Sequence, residues 1–394
     1  MRSADRSVTA DDRVDRVASL LRSTRGREEL KRFNTLVVEV VESLPTLRVL
    51  RARLHQRASM QLYVNASNAK GLASCRTVSL SVRVHGVECG IVTVAESNAP
   101  PFAPSNRRLF GHCGFDDLAG REWAHPTVAR YIKAAASQIK GRPEAKIESA
   151  LIREMKRPGG TWREQQPVCL AGLPLQVPLP VRASGPDPEL GDGHIDVLAR
   201  VGRGGKRLRV YELKAPKADA SGALDQAVAY VAALKFVLVQ QVPTMAEAWW
   251  RLIGFRARPR RMPAFEAFAC VADTPKNRKL MVAAIERLSS ANTHGVVLGA
   301  TYYPVDPEWP GARASQGPPP VWGDPPSADG APRSTAAGGP GKRPCPPAGG
   351  HPRPRIRWSR KQRGFLVARA EQDRNRNPHP RQLYGAKDHQ TNPE

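Results

Sequence analysis

Residues 191–230, GDGHIDVLARVGRGGKRLRVYELKAPKADASGALDQAVAY, constrain the fold more than any other stretch of the chain. Two strand-like apolar runs, His194 to Val201 and Leu208 to Leu213, flank the glycine-rich Gly202-Arg203-Gly204-Gly205, and that combination reads as a β-hairpin. With the turn centred near Gly204, residues whose numbers sum to about 408 face each other across the antiparallel pair. Asp196 and Glu212 meet that condition, as cross-strand neighbours roughly 5 Å apart at Cβ. Side chains alternate along a strand, so Glu212 and Lys214 share a face and Leu213 points away. The helix expected next, Gly222 to Gln241, carries Gln226 and Tyr230, whose spacing of four puts them on one face.

Two carboxylates held together repel, and a buried pair shares a proton unless a cation stands between them. A hard divalent ion, Mg²⁺ or Mn²⁺, suits oxygen ligands of this kind, and a metal so held polarises a phosphoryl oxygen and lowers the pKa of its bound water. Lys214, a compact point charge, would orient that water or stabilise charge developing on the phosphate. On these three residues alone, a solvated strand face with weak cross-strand pairing explains the pattern equally well. The strongly apolar flanks, Ile195, Val197 and Leu198 on one strand and Leu208, Val210 and Leu213 on the other, argue for a hairpin central in a sheet.

An Asp on one strand followed by Glu-x-Lys on the next resembles the PD-(D/E)XK nuclease superfamily, matched here by Asp196 and Glu212-Leu213-Lys214. Gln226 and Tyr230 are similar to the Q-x-x-x-Y helix of its RecB-like branch, which implies substrate contact beside the active site. The resemblance further implies Asp196 and Glu212 as metal ligands, with Glu148 on the preceding helix and the backbone carbonyl of Leu213 as additional ones. Ile195 stands where the family writes proline, and Asp187, Glu189 and Asp192 are rival acids just upstream.

The remaining segments fit the core that this family implies, a restriction-endonuclease-like α-β-β-β-α-β unit with a mixed central sheet flanked by helices. Periodicity predicts a helix over Glu144 to Arg157, a strand over Leu173 to Val181 pushed toward a sheet edge by three prolines, and the hairpin. A helix Thr244 to Phe255, a strand Phe265 to Val271, a helix Lys276 to Leu288 and a strand Gly295 to Tyr303 follow. Residues 141–306 form the expected α/β nuclease-like domain. Residues 1–140 read as an appended α+β region for recognition or dimerisation. It opens with helices Asp11 to Phe33 and Thr35 to Leu44, and a Val84-His85-Gly86-Val87 connection joins strands Thr77 to His85 and Val87 to Ala95. Residues 307–394, Pro/Gly-rich and then Arg-rich, read as a disordered tail.

The formal net charge of +25 draws the chain toward a polyanion, and the partner expected is DNA, with RNA as the alternative substrate. Lys206, Arg207 and Arg209, and Arg256, Arg258, Arg260 and Arg261 after Trp249-Trp250, are the candidate contact clusters. The tryptophans would either stack on an unpaired base or pack their helix on the core. A non-catalytic DNA-binding or assembly module is the reading from another functional class. The six cysteines show no C-x-x-C pair, which leaves His85, Cys89, His112 and Cys113 a poor zinc set. Neither an apolar leader nor a run of about 20 uncharged apolar residues occurs, so the expectation is a cytoplasmic protein without membrane or small-molecule cofactor, capable of homodimerising.

Overall fold

A computed structural model describes residues 8–45, 47–48, 60–64, 78–94, 102–103, 130–132, 134, 143–156, 164–185, 187–240 and 242–303. Helix α1 (Ala10–Arg22) starts at a capping box, in which Asp12 N–H donates to the Thr9 hydroxyl and Thr9 N–H donates to Asp12. Ser23 closes α1 and opens α2 (Thr24–Glu42): its N–H donates to Ser19 and Leu20 carbonyls, and its hydroxyl accepts from Gly26 N–H. The sequence suggested a break near residue 34. The serine moves it to 23 because one side chain satisfies end groups of both helices, and Gly26 lets them close up, a Cβ there falling 2.0 Å from the Leu20 carbonyl oxygen.

Strands β1 (Met60–Val64), β2 (Val78–Val84) and β3 (Val87–Val94) form an antiparallel run, extended by β4 (Phe102–Ala103). His85 and Gly86 both adopt positive φ, 50° and 77°, giving the two-residue hairpin turn expected there. Helix α3 (Pro143–Lys156) precedes β5 (Gln165–Pro167), β6 (Cys169–Leu170) and β7 (Leu173–Arg182). Strand β7 lies inside its sheet, parallel to β1 on one side and antiparallel to β8 (Glu189–Ile195), rather than at the edge its prolines suggested. Pro174, Pro178 and Pro180 share parity, so their missing donors fall on one side of the strand and the other side keeps its ladder.

The run expected as one strand from His194 to Val201 is broken at Asp196. Its first part, β8, pairs with β7, and its second, β9 (Val197–Val201), pairs with β10 (Arg207–Leu213). The chain thereby passes from one sheet into the next, and the mixed sheet curls at that residue. Register across β9 and β10 runs Arg207 opposite Val201 to Tyr211 opposite Val197, the pairing that a turn centred on Gly204 requires. Helix α4 (Ala223–Leu238), helix α5 (Pro243–Leu252), β11 (Ala264–Ala272), α6 (Pro275–Ser289) and β12 (Val297–Tyr303) complete the described fold. The second sheet is ordered β12-β11-β10-β9-β5, parallel across β10, β11 and β12.

That sheet is covered on both faces. Helix α3 lays Ile147, Leu151 and Met155 on Val197, Ala199, Tyr211, Leu213 and Phe268. Helix α4 covers the other face, where Leu208, Val210, Ala267 and Ala269 lie, and it is apolar nearly all round because α1, α5 and α6 pack on it as well. Its buried Asp225 is held by Arg13 of α1 and Arg287 of α6. Side chains from Ala10 to Tyr302 belong to one apolar cluster, so the boundary placed near residue 140 is no break in packing: β1 needs β7 as its neighbour, and α1 needs α4. The tail 307–394, His112 and Cys113 lie outside the described residues. Among the described residues no helix is long and apolar enough to cross a membrane.

Trp249 and Trp250 are fully buried, their indole N–H groups donating to Asn34 Oδ1 (2.7 Å) and the Leu238 carbonyl (3.1 Å), so they pack the core and are closed to stacking on a base. Arg209 is also buried, its guanidinium on Glu266 and over the Phe268 ring, which removes it from the surface cluster expected with Lys206 and Arg207. The β7–β8 ladder shifts register between Leu179 and Val181, where Gly193 packs so closely that a Cβ would lie 1.7 Å from the Val181 carbonyl oxygen. Gly193→Ala is therefore expected to destabilise the fold by about 2–3 kcal/mol, the cost of forcing atoms into a filled site. Chemical denaturation of the purified variant checks this; an unchanged midpoint would contradict the packing described.

Candidate active site

The carboxylate of Asp196 occupies the break between β8 and β9, where its Oδ2 accepts the Leu213 N–H at 2.9 Å. The backbone ladder stops at Tyr211 and Val197, and the side chain takes over the next donor on β10. Leu213 thus serves the site through its N–H. Alternation then turns Leu213 toward α3 and leaves Glu212 and Lys214 on the α4 face.

Lys214 is held from four directions. Its Nζ donates to Glu212 Oε1 (2.7 Å) and Gln226 Oε1 (2.6 Å), its N–H donates to the Cys270 carbonyl (3.0 Å), and its carbonyl accepts from the Tyr303 hydroxyl. Gln226 reaches it from the first turns of α4. Tyr230, one turn later, is only 7% exposed and points inward, its hydroxyl accepting from Ala183 N–H at 3.4 Å. Gln226 therefore touches the charged group, and Tyr230 forms part of the wall behind it.

Glu148 comes from α3 and is buried, with Gln176 of β7 donating to its Oε1 at 2.6 Å. Burial, then the charge of Asp196, pushes its pKa up to about 8. Burial raises Asp196 as well, with Glu144 adding to the rise and the Leu213 N–H and Lys214 opposing it. Glu212 is driven well above the ordinary carboxylate range by burial and by Asp196. Burial works to lower Lys214, but Glu212 and Asp196 outweigh it and raise its pKa, which keeps the ammonium protonated.

Glu144 is a residue that the sequence reasoning missed. Its charge acts on Asp196, Glu212, Lys214 and Glu148. The available signal was its place one helical turn before Glu148. Tyr63 of β1 and His194 of β8 were missed too: their rings stack 4.1 Å apart, with the Tyr63 hydroxyl 2.8 Å from His194 Nδ1, and Arg83 lies 3.9 Å over the Tyr63 ring. The rival acids are engaged elsewhere, Asp187 with Arg13, Glu189 with Arg182 and Asp192 with Arg32.

Burial and mutual repulsion make it costly to ionise Glu148, Asp196 and Glu212 together, and hard oxygen donors in that situation would fit a divalent cation. Among the described residues no three His, Cys, Asp or Glu side chains stand at closed metal-ligand spacing, so the fit is one of charge and donor chemistry. Comparison with protein-family models, with curated proteins and with solved structures gives no match.

The raised carboxylates bear on stability with a definite sign. A carboxyl whose folded pKa exceeds its unfolded value holds more protons when folded, so its contribution falls as pH rises between the two values, here from near 4.5 to about 8 for Glu148. The charges that act on one another here come from Asp196 at the break between β8 and β9, Glu212 of β10, Lys214 just after it and Glu144 of α3. In chelator, Glu148→Gln should melt close to wild type at pH 5 and above it at pH 8.5, measured by thermal unfolding. A gap that stays constant or reverses would contradict the buried, mutually repelling arrangement.

Proposed function

We propose that this chain is a metal-dependent nuclease that hydrolyses phosphodiester bonds of DNA. The observation that carries the reading is Lys214 clamped between Glu212 and Gln226, with Asp196 close enough to act on its charge. The element order supports a restriction-endonuclease-like core: α3, then β7 antiparallel to β8, β9 antiparallel to β10, then α4, then β11 parallel to β10.

Asp196 and Glu212 would hold Mg²⁺ or Mn²⁺, with water completing the ion's shell. When bound, such an ion supplies charge stabilisation at a phosphoryl oxygen and a lowered pKa for its water. Lys214 keeps its proton, so it acts as a donor that orients the attacking water or meets the charge growing on the phosphate, and it does not serve as the base. Gln226 keeps that ammonium aimed, since its Oε1 takes one of the three Nζ protons. Tyr303 and Cys270 fix the backbone from which Lys214 projects. Fixed donors of this type cost no reorganisation when charge develops.

The purified 394-residue chain should cleave DNA in Mg²⁺ or Mn²⁺ and lose the activity in chelator. Asp196→Asn, Glu212→Gln and Lys214→Ala should each lower the rate about 100-fold or more, the scale on which removal of one oriented electrostatic group acts. Initial rates on linear, circular, single-stranded and branched DNA, with matched RNA alongside, measure this. Faster cleavage of the RNA would move the substrate assignment, and unchanged rates in all three variants would remove the site assignment. Binding without cleavage on the whole panel would favour a non-catalytic module of the same architecture.

A further inference from the structure

Two basic segments far apart in sequence meet at the end of the second sheet. The turn between β9 and β10 and the loop between α5 and β11 are joined by Ala264 N–H donating to the Lys206 carbonyl (3.0 Å) and by Arg200 Nη1 donating to the Gly254 carbonyl (2.9 Å). Phe255 fastens the loop from below, its ring edge-on to Trp250 at 5.1 Å and under Arg200 at 5.8 Å. Gly202, Gly204 and Gly205 all take positive φ, which bends the turn tightly against that loop.

Arg203, Lys206, Arg256, Arg258, Arg260 and Arg261 are exposed on the resulting surface. Neither segment, 200–207 nor 253–264, contains an acid. Of the acids brought alongside, Glu266 is buried between Arg207 and Arg209, and Glu164 enters through its carbonyl, which accepts from Gly202 N–H. This end of β10 lies at Arg207 and the carboxylate site at Glu212 to Lys214, so at roughly 3.3 Å per residue the two are about 20 Å apart.

We infer that the turn 202–206 and the loop 254–263 form one cationic surface that grips the phosphate backbone of duplex DNA at the end of the sheet remote from the carboxylates. The anchored backbone presents guanidinium groups, which pair with phosphate oxygens in a fork, without the ordering cost of a mobile arm. A separation of about 20 Å corresponds to roughly six base pairs along a duplex at 3.4 Å per step. The surface extends the nuclease reading to a second contact, yet it stands or falls on binding alone.

The test uses the full chain in EDTA and fluorescence anisotropy with a labelled duplex over a salt series. It compares wild type, Arg256→Gln/Arg258→Gln/Arg260→Gln and a charge-matched control, Arg16→Gln/Arg25→Gln/Arg27→Gln, whose arginines are exposed on α1 and α2. The loop variant is expected to bind about tenfold more weakly, and its plot of log affinity against log salt to flatten by roughly two to three, while the control stays near wild type. Equal loss in both triple variants would assign the effect to net charge and overturn the surface; so would a loop variant that binds as wild type. Thermal unfolding of each variant guards against misfolding. Binding is read in EDTA and cleavage separately in Mg²⁺ or Mn²⁺, so a wild type that binds in the first and never cleaves in the second removes the nuclease reading and leaves this surface standing. Cleavage by wild type with an unaffected loop variant does the opposite.

Discussion

The hydrogen bond from Leu213 N–H to Asp196 does the work of the ladder bond missing at the point where the strand breaks. At residue 196 the chain leaves the β7 sheet and joins the β10 sheet, and a backbone that turns out of one ladder leaves a donor on its neighbour unpaired. A carboxylate in that position satisfies the donor and is itself pinned beside Glu212. The curl of the sheet and the geometry of the acid cluster therefore have one origin. Helix α3, which covers the face containing Leu213, carries Glu148 and Glu144 within reach of the Asp196 charge.

Two clusters of buried charge in this chain have opposite balances. Glu266 is enclosed by Arg207 and Arg209, with Arg209 further held by the Tyr211 hydroxyl and laid over Phe268. Opposite charges and hydrogen bonds satisfy that group, as a structural ion pair requires. Around Lys214 the count is reversed, several carboxylates to one ammonium, and three of them, Glu148, Asp196 and Glu212, are held with raised pKa values. A fold gains nothing in stability from such a surplus, and perturbed groups gathered in one place are the usual signature of chemistry.

The hairpin register was legible in sequence because a glycine-rich turn and a period of two together determine which residues face each other, as Tyr211 opposite Val197 shows. The break at Asp196 was not, since alternation continues through it and carries no mark of a change of sheet. Ser23 was legible as a cap only in hindsight of Gly26, because the apolar period of α1 runs on into α2. Prolines were read correctly as missing donors in β7, but their shared parity, which makes an interior strand tolerable, is a property of the strand's two sides and not of composition. Spacing put Gln226 and Tyr230 on one helix face and only the family resemblance put that face beside the site; the inward turn of Tyr230 depends on how α4 packs, which the sequence of the helix alone does not determine.

The proposed nuclease chemistry requires Asp196 and Glu212, beside Lys214, to take a divalent ion. Titration of the purified protein with Mn²⁺ near neutral pH, followed by electron paramagnetic resonance with simultaneous measurement of proton release, tests it most directly. Acids held partly protonated must give up protons when a metal binds. Saturable Mn²⁺ binding accompanied by proton release is expected, both lost in Asp196→Asn/Glu212→Gln. Binding that survives unchanged in that double variant, or no binding by the wild type, would contradict it.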